Sequence, residues 1–225
     1  MHNLPFAQPG QFYRGNLHTH CTESDGDYPV EEVVRRYREK GYDFLALSDH
    51  FLECYDYPVT DTRSFRSDNF TTLIAAELHA GNLLNDEVWH LLAVGLPLDF
   101  APKKEHEGIV ALAGRAFAAG AFIGIVHPAW YGLAPEDARI LPFAHAVEVY
   151  NHGAQMANDR GDGWGLCDVL LNRGSRLHAF ATDDAHHMAH DSARLPLGRF
   201  VQGHFRITVV DAQGRKAWSN PVWLS

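Results

Sequence analysis

A chain of 225 residues with 46% hydrophobic and 12% aromatic residues holds enough apolar material for a full core, which excludes a disordered polypeptide and suits one α/β barrel. The formal charge of −9, with histidine neutral, excludes a basic face that grips nucleic acid, so a nucleic-acid polymer is not an expected partner. Cations bound to some of the acids would offset that charge, which leaves small anionic substrates open.

Residues 11–17 read as a short strand ending at His18-Thr19-His20. Pro29 opens a helix in which Val30, Val33, Val34 and Tyr37 fall at i, i+3, i+4 and i+7, and Gly41 ends it. Phe44-Leu45-Ala46-Leu47 reads as a buried strand running into Ser48-Asp49-His50, and residues 51–70, without periodicity, as a long loop. Strands are expected at 73–77, 88–96, 122–126, 147–150 and 177–181, and helices at 108–119 and 165–171. The tail reads as an antiparallel hairpin, 204–210 and 217–224 around a turn at 211–214.

Repeated strand–helix–strand order predicts a parallel sheet or barrel, whose chemistry gathers at the carboxyl ends of the strands. No repeat or linker divides the chain, so residues 1–225 are expected to form one domain. Cys21, Cys54 and Cys167 are sparse and form no CxxC pair, as expected of reduced thiols in a cytoplasmic protein. A basic-then-apolar leader and a bilayer-length apolar run are both missing, so no membrane partner is expected.

His, Asp and Glu recur where apolar runs end: His18 and His20, Asp25, Asp49 and His50, Glu77, His127, and Asp183, Asp184 and His186. His90 alone lies inside a run. Imidazole and carboxylate without thiolate form the donor set of Zn, Mn or Fe(II) hydrolytic centres, and there are too many donors for one ion. Two histidines two apart on an extended segment share a face and can hold one ion. A carboxylate ending an apolar strand, as Glu77 and Asp184 do, is costly to bury unless paired or metal-bound.

His18-Thr19-His20, Ser24-Asp25-Gly26, Ser48-Asp49-His50, Gly124-Ile125-Val126-His127-Pro128 and Asp184-Ala185-His186 occur in the order found in the polymerase-and-histidinol-phosphatase (PHP) superfamily. The chain resembles that superfamily from about Tyr13 to about His187, and Glu148-Val149-Tyr150-Asn151 resembles its carbaryl hydrolase-like branch. The resemblance implies a distorted seven-stranded barrel with two to three divalent ions at its carboxyl end. His18, His20, Glu77 and Asp184 would hold the first ion, with Glu77 bridging to a second held by His90 and His127. Asp25, His50 and His186 would form the third site.

Around these, Asp49 and Asp183 are candidates to orient imidazoles. Asn151, Arg160, His187 and Arg194 are candidates to face substrate, and Trp130 and Tyr131 to shape the pocket. Cys21 reads as a bystander. The expected chemistry is hydrolysis of a small phosphomonoester or phosphodiester by a hydroxide shared between Mn, Zn or Fe ions, with Glu77 and Asp184 at the reacting centre. Carbamate or carboxyl-ester hydrolysis on the same centre is the alternative, favoured by a pocket without Arg or Lys. A non-catalytic metal-binding domain is a further alternative.

Overall fold

The strands follow from apolar runs too short for helices, each stopped by glycine or a polar cluster. The computed structural model describes residues 10–187 and the backbone of four short strands between 203 and 224. Its contacts separate two compact units, Met1–Met188 and Ala189–Ser225. In the first, the elements run Gly15–Asn16 (β1), Val30–Glu39 (α1), Phe44–Leu47 (β2), His50–Phe51 (β3), Thr71–Asn82 (β4) and Val88–Val94 (β5). They continue with Ile109–Ala118 (α2), Phe122–Ile125 (β6), Pro128–Tyr131 (α3), Pro135–Ala138 (α4), Ala146–Asn151 (β7), His152–Asn158 (α5), Trp164–Asn172 (α6) and His178–Thr182 (β8).

Seven strands pair in the order β1-β2-β4-β5-β6-β7-β8, with β3 added beside β4. Just past the first and last strands, Thr19 bridges Ala185 in parallel. There Asp184 N–H donates to the His18 carbonyl at 2.9 Å and His20 N–H to the Ala185 carbonyl at 3.1 Å. These contacts nearly close the sheet into a distorted α/β barrel. β5 is its distortion, running antiparallel to both β4 and β6, whereas β1, β2, β6, β7 and β8 join their other neighbours in parallel.

Period-two alternation sorts each strand into two environments. On β4, Ile74, Ala76, Leu78 and Ala80 join Trp89, Leu91 and Ala93 of β5, Ile123 and Ile125 of β6 and the α2 residues Leu112, Ala113 and Ala116 in the outer core. The other face carries Ala75, which meets Ala46, Leu92, Val94 and Val126 inside the barrel, with Phe122 and Phe180 packed against them. Gly124 makes room there: a Cβ would lie 2.8 Å from the Phe180 ring. Further along that inner face β4 presents Glu77 and His79, so the barrel is apolar at one end and polar at the other.

Helix α1 covers β2 with Val33, Val34 and Tyr37, which pack with Leu45 and Leu47. Acidic Glu31 and Glu32 in its first turn and Arg36 and Arg38 in its last complement the helix dipole. Strand β4 runs five residues past the expected end at Glu77, and α3, α4 and α5 are too short for helical periodicity to reveal. The 51–70 loop contains two single 3-10 turns, Glu53–Tyr55 and Arg63–Phe65. Among the described residues, no helix is long and apolar enough to cross a membrane.

In the second unit, Gly203–Phe205 (β9) pairs antiparallel with Val222–Leu224 (β12), and Thr208–Val210 (β10) with Lys216–Trp218 (β11). This is the hairpin expected for the tail. Its turn, and Arg194, lie outside the described residues.

Candidate metal centre

All nine residues singled out as ligand candidates meet at the polar end of the barrel. Glu77 is the hub, fully buried at the middle of β4. Its Oε1 lies 2.9 Å from His90 Nδ1 and 2.9 Å from His127 Nε2. Its Oε2 lies 3.7 Å from both His18 Nε2 and His20 Nε2. Asp184 Oδ1 completes that second group, 3.4 Å from His18 Nε2 and 3.1 Å from His20 Nε2. Beside them, Asp25 Oδ1 is 3.4 Å from His50 Nε2, 3.3 Å from His186 Nε2 and 3.9 Å from His20 Nδ1. The His20 ring stacks on His186 at 4.0 Å between centroids, and its Nε2 faces Asp184 and Glu77 while its Nδ1 faces Asp25.

The reversed strand β5 explains why His90 broke the strand-end pattern. A strand running backwards brings its first residues to the end where parallel strands finish, and His90 pairs with His79 near the end of β4. Two other candidates sit in unusual backbone: His127 has φ +27 and Asp184 φ +47. Non-glycine residues there cost on the order of 1–3 kcal/mol, which the surrounding contacts must offset. For Asp184 the support is visible. Its Oδ2 accepts from Asn151 Nδ2 at 3.0 Å, and Gly153 N–H donates to the Asp183 carbonyl at 2.8 Å. A Cβ on Gly153 would lie 2.5 Å from the Asp184 carbonyl oxygen, so this close approach needs glycine.

Charge is finely balanced. Burial would raise the Glu77 carboxyl, but the neighbouring His90, His50 and His18 hold it well below the usual range. Burial likewise opposes ionisation of Asp184 and Asp25; His18 and His20 overcome it for the first, His186 and His50 for the second. Burial drives His20 down to about 4 and His90 to about 3. Burial also acts on His50 and His18, yet Glu77 and Asp25 bring His50 up to about 10, and Asp184 and Glu77 raise His18 well above its ordinary value.

The donor set suits divalent cations. Among the described residues, buried atoms without a hydrogen-bond partner include His18 Nε2, His20 Nδ1 and Glu77 Oε2, all within the cluster, and His127 Nδ1. Orphaned buried polar atoms cost about 1–3 kcal/mol each, and a coordinated cation removes that cost. Groups with donor atoms within 4.8 Å of one another include His18–His20–Glu77, Glu77–His90–His127, His18–His127–Asp184 and His20–Asp25–His50–His186.

The outer candidates divide. Asp49 is not paired with an imidazole among the described residues: its carboxylate accepts from Cys21 N–H (2.9 Å), Cys21 Sγ (3.0 Å) and Ser24 Oγ (2.7 Å), bracing the turn that carries Asp25. Asp183 faces away and accepts from the Tyr37 and Tyr42 hydroxyls at 3.0 and 3.2 Å. Asn151 ties Asp184 to Glu148. The Arg160 guanidinium donates to the Trp130 carbonyl at 3.0 Å, and His187 pairs with Asp27 at 2.7 Å at the surface. Tyr131 packs edge-on against His90 and His127, its hydroxyl buried and unpartnered.

Two residues escaped sequence reasoning. Glu148, fully buried on β7, accepts from His127 N–H (2.6 Å), from Asn151 Nδ2 (2.9 Å) and from the Thr182 hydroxyl, and lies 3.3 Å from His18 Nδ1. The burial-cost argument applied to Glu77 at the end of an apolar run, extended to a carboxylate inside one, would have found it. His79 follows Glu77 by two residues on one strand face, where ending the strand at Glu77 hid it. With Asp25, His50 and His90, it lines a cleft of about 330 Å³ walled by Leu52, Cys54, Tyr55 and Val88.

No family model matches the chain, and no curated protein matches it significantly. Solved structures do. A two-domain protein from Bacteroides vulgatus containing a predicted PHP-like metal-dependent phosphoesterase superimposes with TM-score 0.56 at 20% identity, over 77% of this chain and 52% of its own. A Bifidobacterium adolescentis protein assigned as a metal-dependent phosphoesterase matches with TM-score 0.57 at 14% identity, over 80% of this chain and 90% of its own. An amidohydrolase from Chromobacterium violaceum, with bound sulfate and no metal, matches with TM-score 0.58 at 13% identity, over 77% and 87%. The chain shares their fold. It spans about half the length of the Bacteroides protein.

Proposed function

We propose that the chain is a metal-dependent hydrolase of small phosphoric esters, using two to three Mn, Zn or Fe ions held by the nine clustered residues. The observation that carries this reading is Glu77: one buried carboxylate whose Oε1 faces His90 and His127 while its Oε2 faces His18 and His20, with His50 2.7 Å from that same oxygen. Such a carboxylate suits a bridge between two cations. When bound, the ions would supply Lewis acidity and make a water nucleophilic near neutral pH.

The protein's own groups serve that chemistry by position. Glu148 takes the outward side of His18, which leaves His18 Nε2 free toward Glu77 and Asp184. Asn151 fixes the carboxylate plane of Asp184. Burial opposes ionisation of Asp184, but the neighbouring His18 and His20 favour its ionised form, the form a metal ligand requires. The PHP-like and phosphoesterase neighbours support a phosphoester substrate.

A second reading has its own observation. Among the described residues, those lining the cleft include no Arg or Lys. A site that recognises a phosphomonoester dianion commonly supplies such a cation, so this lining favours a less charged substrate: within the proposal a phosphodiester, and as the second reading a carboxyl ester or carbamate on the same centre. Parallel assays of p-nitrophenyl phosphate, bis-p-nitrophenyl phosphate and p-nitrophenyl acetate, before and after chelation, separate the cases. Chelator-sensitive turnover of either phosphate ester supports the proposal. Metal-dependent turnover of the acetate alone replaces it with the second reading.

A further inference from the structure

The proposed centre leaves one buried imidazole unused. His79 is 3% exposed, and its Nε2 lies 2.8 Å from His50 Nδ1 and 3.6 Å from Glu77 Oε2. His50 Nδ1 is in turn 2.7 Å from Glu77 Oε2, a contact not aligned as a hydrogen bond, and Glu77 Oε2 has no hydrogen-bond partner.

Protons alone do not satisfy this trio. A ring nitrogen carries at most one proton, so a His50 Nδ1–H aimed at His79 leaves Glu77 Oε2 only the poorly aligned half of a shared contact. If His79 Nε2–H donates instead, the carboxylate oxygen faces the His50 lone pair at 2.7 Å. Three lone pairs directed at one another are the arrangement that a divalent cation with nitrogen and oxygen ligands resolves.

We propose that His79 is a metal ligand: its Nε2, His50 Nδ1 and Glu77 Oε2 together bind a divalent ion on the cleft side of the centre. These atoms fall within 4.8 Å of one another, as in the other donor groups. The opposite nitrogen of His50, Nε2, stays with Asp25 at 3.4 Å, so the ring stands between this group and the Asp25–His186 group. His79, His50 and His90 all line the cleft, so an ion held here lies where substrate enters. The inference rests on the metal-centre reading and adds a donor to its nine residues.

The test is an anomalous difference map of zinc-loaded wild-type crystals. The proposal expects a peak about 2.0–2.1 Å from His79 Nε2, the ordinary Zn–N distance. Zinc elsewhere in the cluster, with none within 3 Å of His79, overturns the inference and leaves the metal centre standing. No zinc in the cluster overturns both. In solution, His79→Ala and His79→Gln are compared by cobalt titration followed in the visible d–d spectrum, with circular dichroism to confirm folding. Loss of a bound equivalent, or at least 10-fold weaker binding of one, in both variants supports ligation. Retention of the wild-type spectrum and stoichiometry by His79→Gln, whose amide still hydrogen-bonds His50, makes His79 a positioning residue and overturns it.

Discussion

Replacing Glu148 by glutamine keeps shape and burial but removes the charge and one acceptor atom. The carboxylate receives His127 N–H and Asn151 Nδ2 on Oε2, and Thr182 Oγ1 and the His18 ring on Oε1. The amide nitrogen takes the Oε1 position at least cost, because a hydroxyl can turn and a backbone N–H cannot. There it faces His18 Nδ1 as a donor, which moves the His18 proton to Nε2 and removes the lone pair aimed at Glu77 and Asp184. One charge-assisted hydrogen bond is lost, about 1.5–3 kcal/mol. For a domain of this size that lowers Tm by roughly 3–12 °C. Metal affinity falls roughly 10–100-fold, as for other groups that orient ligand histidines. Thermal denaturation of the metal-free protein and zinc titration against a competing chelator read the two effects separately. Unchanged zinc affinity in folded Glu148→Gln refutes the claim that Glu148 sets the His18 tautomer.

The metal-free protein should be most stable near pH 6.5. On the acid side, His20 and His90 titrate below the ordinary value near 6.5, at about 4 and about 3, so their contribution is lost as pH falls from 6.5 toward those values. On the alkaline side, His50 titrates near 10 and His18 is also raised, so the stability they give is complete below 6.5 and lost as pH rises toward 10. Urea midpoints measured from pH 4 to pH 10 in chelator check this, and a midpoint rising steadily across the range contradicts it. Tyr131→Phe removes a buried hydroxyl without a partner. The metal-free variant should gain about 1 kcal/mol, seen as a Tm higher by roughly 2–4 °C; a lower Tm would show that the hydroxyl is satisfied.

Much of the barrel was legible because its rules are local. Residues 44–47 and 122–125 are apolar runs of strand length, and the α1 face of Val33, Val34 and Tyr37 repeats at helical spacing. The converging residues were legible for the same reason, since strands ending at one rim bring their following residues together. His90 needed the direction of β5, a tertiary property that no local pattern carries. His79 needed the true end of β4: it is a polar residue that faces the site rather than solvent, flanked by Leu78 and Ala80 of the outer core. Asp49 and Asp183 show the converse. Neighbouring a ligand candidate in sequence sends a side chain to the opposite face of an extended segment, where they serve the Cys21–Ser24 turn and the Tyr37–Tyr42 pair.

The central claim is that Glu77 joins two cation sites. Metal stoichiometry of wild type and Glu77→Gln, by elemental analysis after reconstitution with Zn or Mn and removal of free metal, tests it most directly. The account predicts two to three equivalents in wild type and at most one in the folded variant, because both oxygens of Glu77 serve separate groups. Wild type without bound metal, or Glu77→Gln with the full complement, would contradict it.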